Sequence, residues 1–213
     1  MRNSLLLFFV CLLLHAEVVD RLAVTVGSTV ITELQIDEDL RVAALLNGKP
    51  IVRDTEARRA AADRLVEQQL IQHEIELSHY PPPTDQEVSI FYSQVEQTLG
   101  GPESLRKFLG QYDVSEPTLR THLSAELATL RFIEVRFTPD ISVSEVEIEV
   151  AYRRKIAALH ATAPGMQSPV LDSSERAKLS QGLLAERTDA ALNSWLAESR
   201  KQINIVYIDS ALQ

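Results

Sequence analysis

Apolar and polar positions along this chain follow two rhythms, one of period two at the ends and one of period three to four between them. Near the start, Val24, Val26, Val30 and Ile31 are branched residues around Gly27-Ser28-Thr29, a pattern of two short strands within 18–31 joined by a turn. At the far end Ile203, Ile205 and Tyr207 alternate with Asn204, Val206 and Ile208, which predicts a further strand, apolar on both faces except at Asn204. A lone hairpin is marginal in water, and a lone strand is worse. Pairing the two ends satisfies both, so the termini are expected to meet in one small sheet.

Between them the period is helical. Thr32 with Gln35 forms a possible capping box for a helix over 33–46, stopped by Asn47-Gly48-Lys49-Pro50. A second helix over 56–78 carries Leu65, Val66, Leu70, Ile75 and Leu77 and ends before Pro81-Pro82-Pro83. Thr84 with Glu87 opens a third, with Val88, Phe91, Tyr92, Val95 and Leu99 at helical spacing. Gly100-Gly101-Pro102 breaks it. A short helix over 103–109 then presents Leu105, Phe108 and Leu109, and Gly110 is expected to end it. Ser115 precedes a long helix to about 137, with Pro117 tolerated in its first turn. Its stripe of Leu119, Leu123, Leu127, Leu130, Ile133 and Phe137 is the clearest in the chain.

Over 144–160 two patterns compete. Val146, Ile148, Val150 and Tyr152 alternate as a strand does, while Ser144 with Glu147 is a helix start. The cap favours a helix. Residues 161–172 are loop-like, and Asp172 with Glu175 caps a last helix to about 201, with Leu179, Leu183, Leu184, Leu192, Trp195 and Leu196 on its apolar side. The expected fold class is mainly α: a multi-helix domain over 17–213 closed by a small antiparallel sheet of N-terminal hairpin and C-terminal strand. Residues 84–137 are a candidate peripheral helical subregion.

The first sixteen residues change the picture. Arg2, an unbroken apolar run over 5–14 and Ala16 before Glu17 read as a cleaved export signal, with cleavage expected after Ala16. The run is about half of what a spanning helix of roughly 20 residues needs. The alternative is an uncleaved N-terminal helix. Cys11 lies in this run, so the mature chain has no thiol for a disulfide or metal site, as fits a bacterial envelope protein.

At 45% hydrophobic and 24% charged, the chain of 213 residues has the composition of a folded domain. Its formal charge is −9, one unit more negative without Arg2, and no lysine or arginine cluster offers nucleic acid a track. No membrane insertion is expected after cleavage. His73, His79, His122 and His160 form no metal-binding spacing, and no nucleophile elbow, phosphate loop or dinucleotide fingerprint is present. Glu145, Glu147 and Glu149 are better accounted for by stabilising a helix start than by acid–base chemistry. Neither a catalytic centre, a metal nor a cofactor is expected. Phe91, Tyr92, Val95, Leu105, Phe108, Tyr112 and Phe132 are candidates for an apolar interhelical groove, because short amphipathic helices leave surplus apolar area that suits partner peptides.

The order of elements resembles the SurA-type periplasmic chaperones, with their trigger-factor C-terminal-like fold. Val18-Val19-Asp20-Arg21-Leu22-Ala23-Val24-Thr25-Val26-Gly27 and Val30-Ile31-Thr32 look like the family's opening hairpin. Arg64-Leu65-Val66-Glu67-Gln68-Gln69-Leu70-Ile71, then 105–112 and 119–137, are similar to its next helices, and 195–208 to its returning helix and closing strand. The resemblance covers nearly the whole mature chain, in element order more than in any diagnostic motif. In that family a parvulin-type prolyl isomerase domain is inserted where this chain has only the 161–172 loop. The resemblance therefore implies ATP-independent holding of unfolded or extended envelope and outer-membrane polypeptides in the periplasm, without isomerase activity. Two other readings stay open: an adaptor for one specific envelope partner, and a prolyl isomerase. The sequence also leaves open whether such a groove is filled by the chain itself or by a second copy, as in a homodimer.

Overall fold

A computed structural model describes residues 20–163 and 165–212. The expected export signal and Cys11 lie outside the described residues.

The two ends do meet. β1 (Leu22–Val26) and β2 (Thr29–Thr32) form an antiparallel hairpin, and β3 (Ile205–Tyr207) pairs antiparallel on the other side of β1, giving the order β2-β1-β3. Gly27 sits at φ +58° at the first turn position, which the two-residue hairpin requires and a β-branched residue would resist. Thr25 faces Val206, flanked by backbone bonds from Gly27 N to Asn204 O (2.9 Å) and from Ile208 N to Ala23 O (2.8 Å). One face of this sheet buries Val24, Val26 and Ile31 against the helices.

Among the described residues the sheet is joined by seven α-helices: α1 (Glu33–Asn47), α2 (Thr55–Leu77), α3 (Asp85–Thr98), α4 (Pro102–Tyr112), α5 (Glu116–Arg136), α6 (Glu145–Thr162) and α7 (Ser173–Gln202). The capping boxes expected at Thr32, Thr84 and Ser144 are present with both reciprocal bonds, and α6 is a helix. Asp54 caps α2 by accepting from Ala57 N at 2.8 Å, a start the apolar pattern had not marked. α1 stops at Gly48, which takes the left-handed conformation (φ +60°) and returns its N–H to the last turn.

One expected boundary moves. Gly110 does not end α4, which runs on to Tyr112. An interior glycine costs about 1 kcal/mol, but the extra turn buries Tyr112 and sets its ring 6.4 Å from that of Phe108, four residues earlier on the same face. Asp113 then caps the helix in the left-handed region, and its carboxylate accepts from Arg41 at 2.8 Å, tying α4 to α1.

The apolar residues divide into two cores. The first joins the sheet, the start of α1, most of α2, the end of α5 and the last turns of α7; Phe132 is its aromatic centre, against Tyr80, Phe137 and Trp195. The second joins the end of α1 to α3, α4 and the start of α5, around Leu45, Leu105, Leu119 and Leu123. α1 and α5 therefore belong to both, and α5 changes core between Leu123 and Ala128. Residues 84–137 supply most of the second core but not all of it, because α1 contributes Val42, Ala44 and Leu45.

α6 and the start of α7 pack mainly on each other and contribute nothing to either core. The segment between them runs back along α6: Ser168 Oγ and His160 Nε2 are 3.1 Å apart, and Tyr152 OH donates to Pro169 O at 2.6 Å. Lys155–Glu175, Arg176–Glu145 and Arg187–Glu147 ion pairs lace the hairpin.

Candidate functional site

Of the seven residues expected to line an apolar groove, six pack together in the second core and Phe132 lies in the first. Tyr92, Leu105 and Tyr112 are buried in the second core, where Phe91, Val95 and Phe108 pack half-buried beside them. Phe132, 1% exposed, is in the other core. Large apolar side chains at helical spacing were read as surplus, yet the short helices α3 and α4 spend them on each other, α1 and α5.

The open ground lies between the cores. At the end of α2, Ile71 and Ile75 share the first core with Phe132 of α5. Toward its N-terminus α5 turns Leu119 and Leu123 to the second core, so the two helices part. Three adjoining depressions follow the gap, of about 620, 470 and 250 Å³. The first and second share Gln72, Thr121 and Ala125; the second and third share Asp39, Gln68 and His122. Together they form a trough walled by α2 and α5, with α3 beside the first depression, α1 along the second, and Leu192 and Leu196 of α7 at the third.

Why the gap stays open is visible in its walls. α2 offers Gln68, Gln69 and Gln72, and α5 offers Thr118, Thr121, His122, Ser124 and Ala125. Closing the helices would bury amides and hydroxyls, at a cost unless every one were paired. A glutamine carries two donors and an acceptor, and a hydroxyl one donor and two lone pairs. Gln72 already donates one N–H to Glu76 at 2.9 Å, and the Thr118 and Ser115 hydroxyls share a bond of 2.8 Å, which leaves part of the capacity of each. That chemistry matches the N–H and C=O groups of an extended polypeptide, which need partners when they leave water. Apolar contact comes from Leu65, Ile71, Ile75, Val88 and Leu130 on the same walls.

A rigid rim borders one end. Pro82 and Pro83 line the first depression, and Arg131 of α5 donates to Pro81 O and Pro82 O at 3.4 Å while pairing with Glu87. Glu87 accepts from Thr84 N and from the Thr84 hydroxyl, and these bonds, with Arg131, hold its carboxyl below the usual carboxylate range. Arg120 lies 4.1 Å over the ring of Tyr92 and pairs with Glu116 at 2.9 Å. Burial pushes the Tyr92 phenol up, which leaves it neutral.

Elsewhere the titratable groups are structural. Arg59 lies 3.7 Å over the ring of Tyr207 and donates to Leu212 O, while Arg58 pairs with Asp209 at 3.5 Å, so α2 clamps the segment after β3. Among the described residues no three His, Cys, Asp or Glu side chains gather as a metal would require, and no helix is long and apolar enough to cross a membrane. His73 and His79 are exposed at the end of α2, His160 faces Ser168, and only His122 lies in the trough.

The polar face of the trough carries no hydrophobic signal, although Leu65, Ile75, Val88 and Leu130 of its walls belong to the apolar stripes. What marks it in the sequence is the polar, small-residue face of α5 together with the glutamine row of α2. The chain matches no protein-family model and no curated protein.

Proposed function

We propose that this protein holds unfolded or extended polypeptides without nucleotide or chemical turnover, as an envelope chaperone of the SurA type without the isomerase domain. The observation that carries the reading is the trough of amides and hydroxyls at the seam of the two cores. Its two larger depressions, about 620 and 470 Å³, each fall within the roughly 300–1,000 Å³ of sites that enclose small ligands, and together with the third they stay open along their length, as suits a chain that passes through. Glutamine and threonine pair with the backbone common to all clients, so the site reads extended conformation more than sequence. An open, polar site gives modest affinity, because much of the interaction is exchanged against water. Release then needs no energy-driven cycle.

The loop between α6 and α7 fits the same reading, since ten residues pressed back along α6 leave no room for a folded insert. The export reading of the first sixteen residues belongs to this proposal as well, and places the work in the periplasm.

The test is light scattering of an unfolded, aggregating client with and without the protein, alongside Thr121→Trp. Thr121 is exposed and lines the first and second depressions, so an indole there fills the trough without entering a core. Suppression of scattering that T121W loses at unchanged thermal stability is the expected result. No suppression by the unmodified protein defeats the proposal, and suppression that T121W retains moves the site elsewhere.

A second reading, an adaptor for one folded partner, draws on the α6–α7 hairpin. It exposes Val146 (70%), Met166 (58%) and Val170 (78%) outside both cores. Co-purification of one stoichiometric partner, lost on Val146→Asp with scattering unaffected, favours that reading.

A further inference from the structure

We infer that the trough selects extended polypeptide segments rich in lysine or arginine; the inference rests on the reading of the trough as a polypeptide site. Its walls hold two arginines and no lysine. Arg64 is paired with Asp39, which is 7% exposed, and Arg120 is paired with Glu116 and stacked on Tyr92. Glu67 is likewise neutralised, by Arg200 at 3.0 Å. Three wall carboxylates are left without a cation: Glu38 on α1, Asp85 on α3 and Glu126 on α5.

Each depression carries one of them, Asp85 the first, Glu38 the second and Glu126 the third, so unpaired negative charge recurs along the trough. A cleft with low-dielectric walls focuses the field of such charge, and the formal charge of −9 reinforces it at longer range. An extended chain whose backbone pairs with the glutamines and threonines would direct its side chains outward to these walls. Long lysine and arginine stems cover the apolar wall positions and carry their charge to the rim. Glutamate-rich segments meet only repulsion there, because both wall arginines are already committed.

The experiment uses the full chain and three fluorescent nine-residue peptides of glycine, serine and valine, differing only in three positions that are all Lys, all Gln or all Glu. Fluorescence anisotropy at low salt is expected to rank them Lys, then Gln, then Glu. Each exposed pairing is worth at least about twofold at low salt, so three of them make the Lys peptide bind at least about eightfold more tightly than the Gln peptide. The advantage falls as salt shortens the screening length. In the Glu38→Gln, Asp85→Asn, Glu126→Gln triple variant the ratio of Lys-peptide to Gln-peptide affinity is expected to fall to about one; the melting temperature checks its fold. Equal binding of the Lys and Gln peptides overturns the charge selection and leaves the polypeptide site standing. A Lys preference that survives in the triple variant also overturns it, because the charge then lies elsewhere. No binding of any peptide defeats the polypeptide site itself, and the selection with it.

Discussion

Replacing Phe132 by alanine separates a core role from a surface role. Phe132 is 1% exposed, with ring centroids of Trp195, Phe137 and Tyr80 at 5.1, 5.7 and 6.3 Å. Truncating a buried phenylalanine costs about 3–5 kcal/mol from lost transfer energy and the cavity left behind. The aromatic pairs, at about 0.5–1.5 kcal/mol each, push the value toward the upper end. Phe132 also sits where α2, α5 and α7 converge below the trough, so neighbours pinned by the sheet and two helices cannot collapse into the void. Against a total stability of about 5–15 kcal/mol, that is a large share. For a chain of this size about 4 kcal/mol corresponds to a fall of roughly 8–16 °C in Tm. Urea unfolding followed by the single tryptophan, Trp195, reads the change from within the cluster. If Phe132 instead contacted clients directly, F132A would weaken client binding and leave the urea midpoint in place. A loss below about 1 kcal/mol refutes the core assignment.

Other outcomes follow from the caps, the sheet and the ion pairs. The Glu147 carboxyl is lowered to about 2 by its bonds to the Ser144 backbone N–H and hydroxyl and by Arg187. A carboxyl lowered in the folded state stabilises fully above its unfolded value near 4.5, and that stabilisation is lost as pH falls toward 2. The difference in unfolding free energy between the unmodified chain and Glu147→Gln is therefore expected to shrink from pH 6 to pH 2.5, and a pH-independent difference rules the account out. In the sheet, the bonds flanking the Thr25–Val206 pair place the Val206 N–H toward β1. Val206→Pro removes that donor and leaves an acceptor unpaired, at about 1–3 kcal/mol in urea unfolding, although its side chain is 44% exposed. Gly48→Ala is expected to cost about 1 kcal/mol by chemical denaturation through its left-handed backbone, since an added Cβ meets nothing within 4 Å; Gly48→Asn recovers part of the loss.

The two-core arrangement gives the trough a structural origin. A single core would have drawn α2 and α5 together along their length. Here α5 serves the first core with Phe132 and the second with Leu119 and Leu123, and the mismatch opens a polar seam between them. The helices bordering the seam are thus fixed from behind by packing. Their facing sides are free to remain wet, and a binding surface of this kind is preorganised without a dedicated loop.

The capping boxes at three helix starts, the small sheet and its closure by both ends were legible in the chain alone. The reason is that these are local demands: Thr32, Thr84 and Ser144 satisfy backbone donors within three residues, and strands at opposite ends without neighbours have few other ways to pair. The stripe on α5 was legible too, but periodicity states which face is buried and never against what. Only the tertiary structure sent Leu119 and Leu123 to one core and Ile133 and Phe137 to the other, left Leu130 exposed between them, and withdrew Tyr92, Leu105, Tyr112 and Phe132 into the cores. Gly110 stays within a helix because Tyr112, two residues on, gains burial in the second core, a fact that depends on α1 and α5. The trough was the least legible part. Glutamine, threonine and alanine carry no hydrophobic signal, and their faces become a site only where packing on either side holds two helices apart.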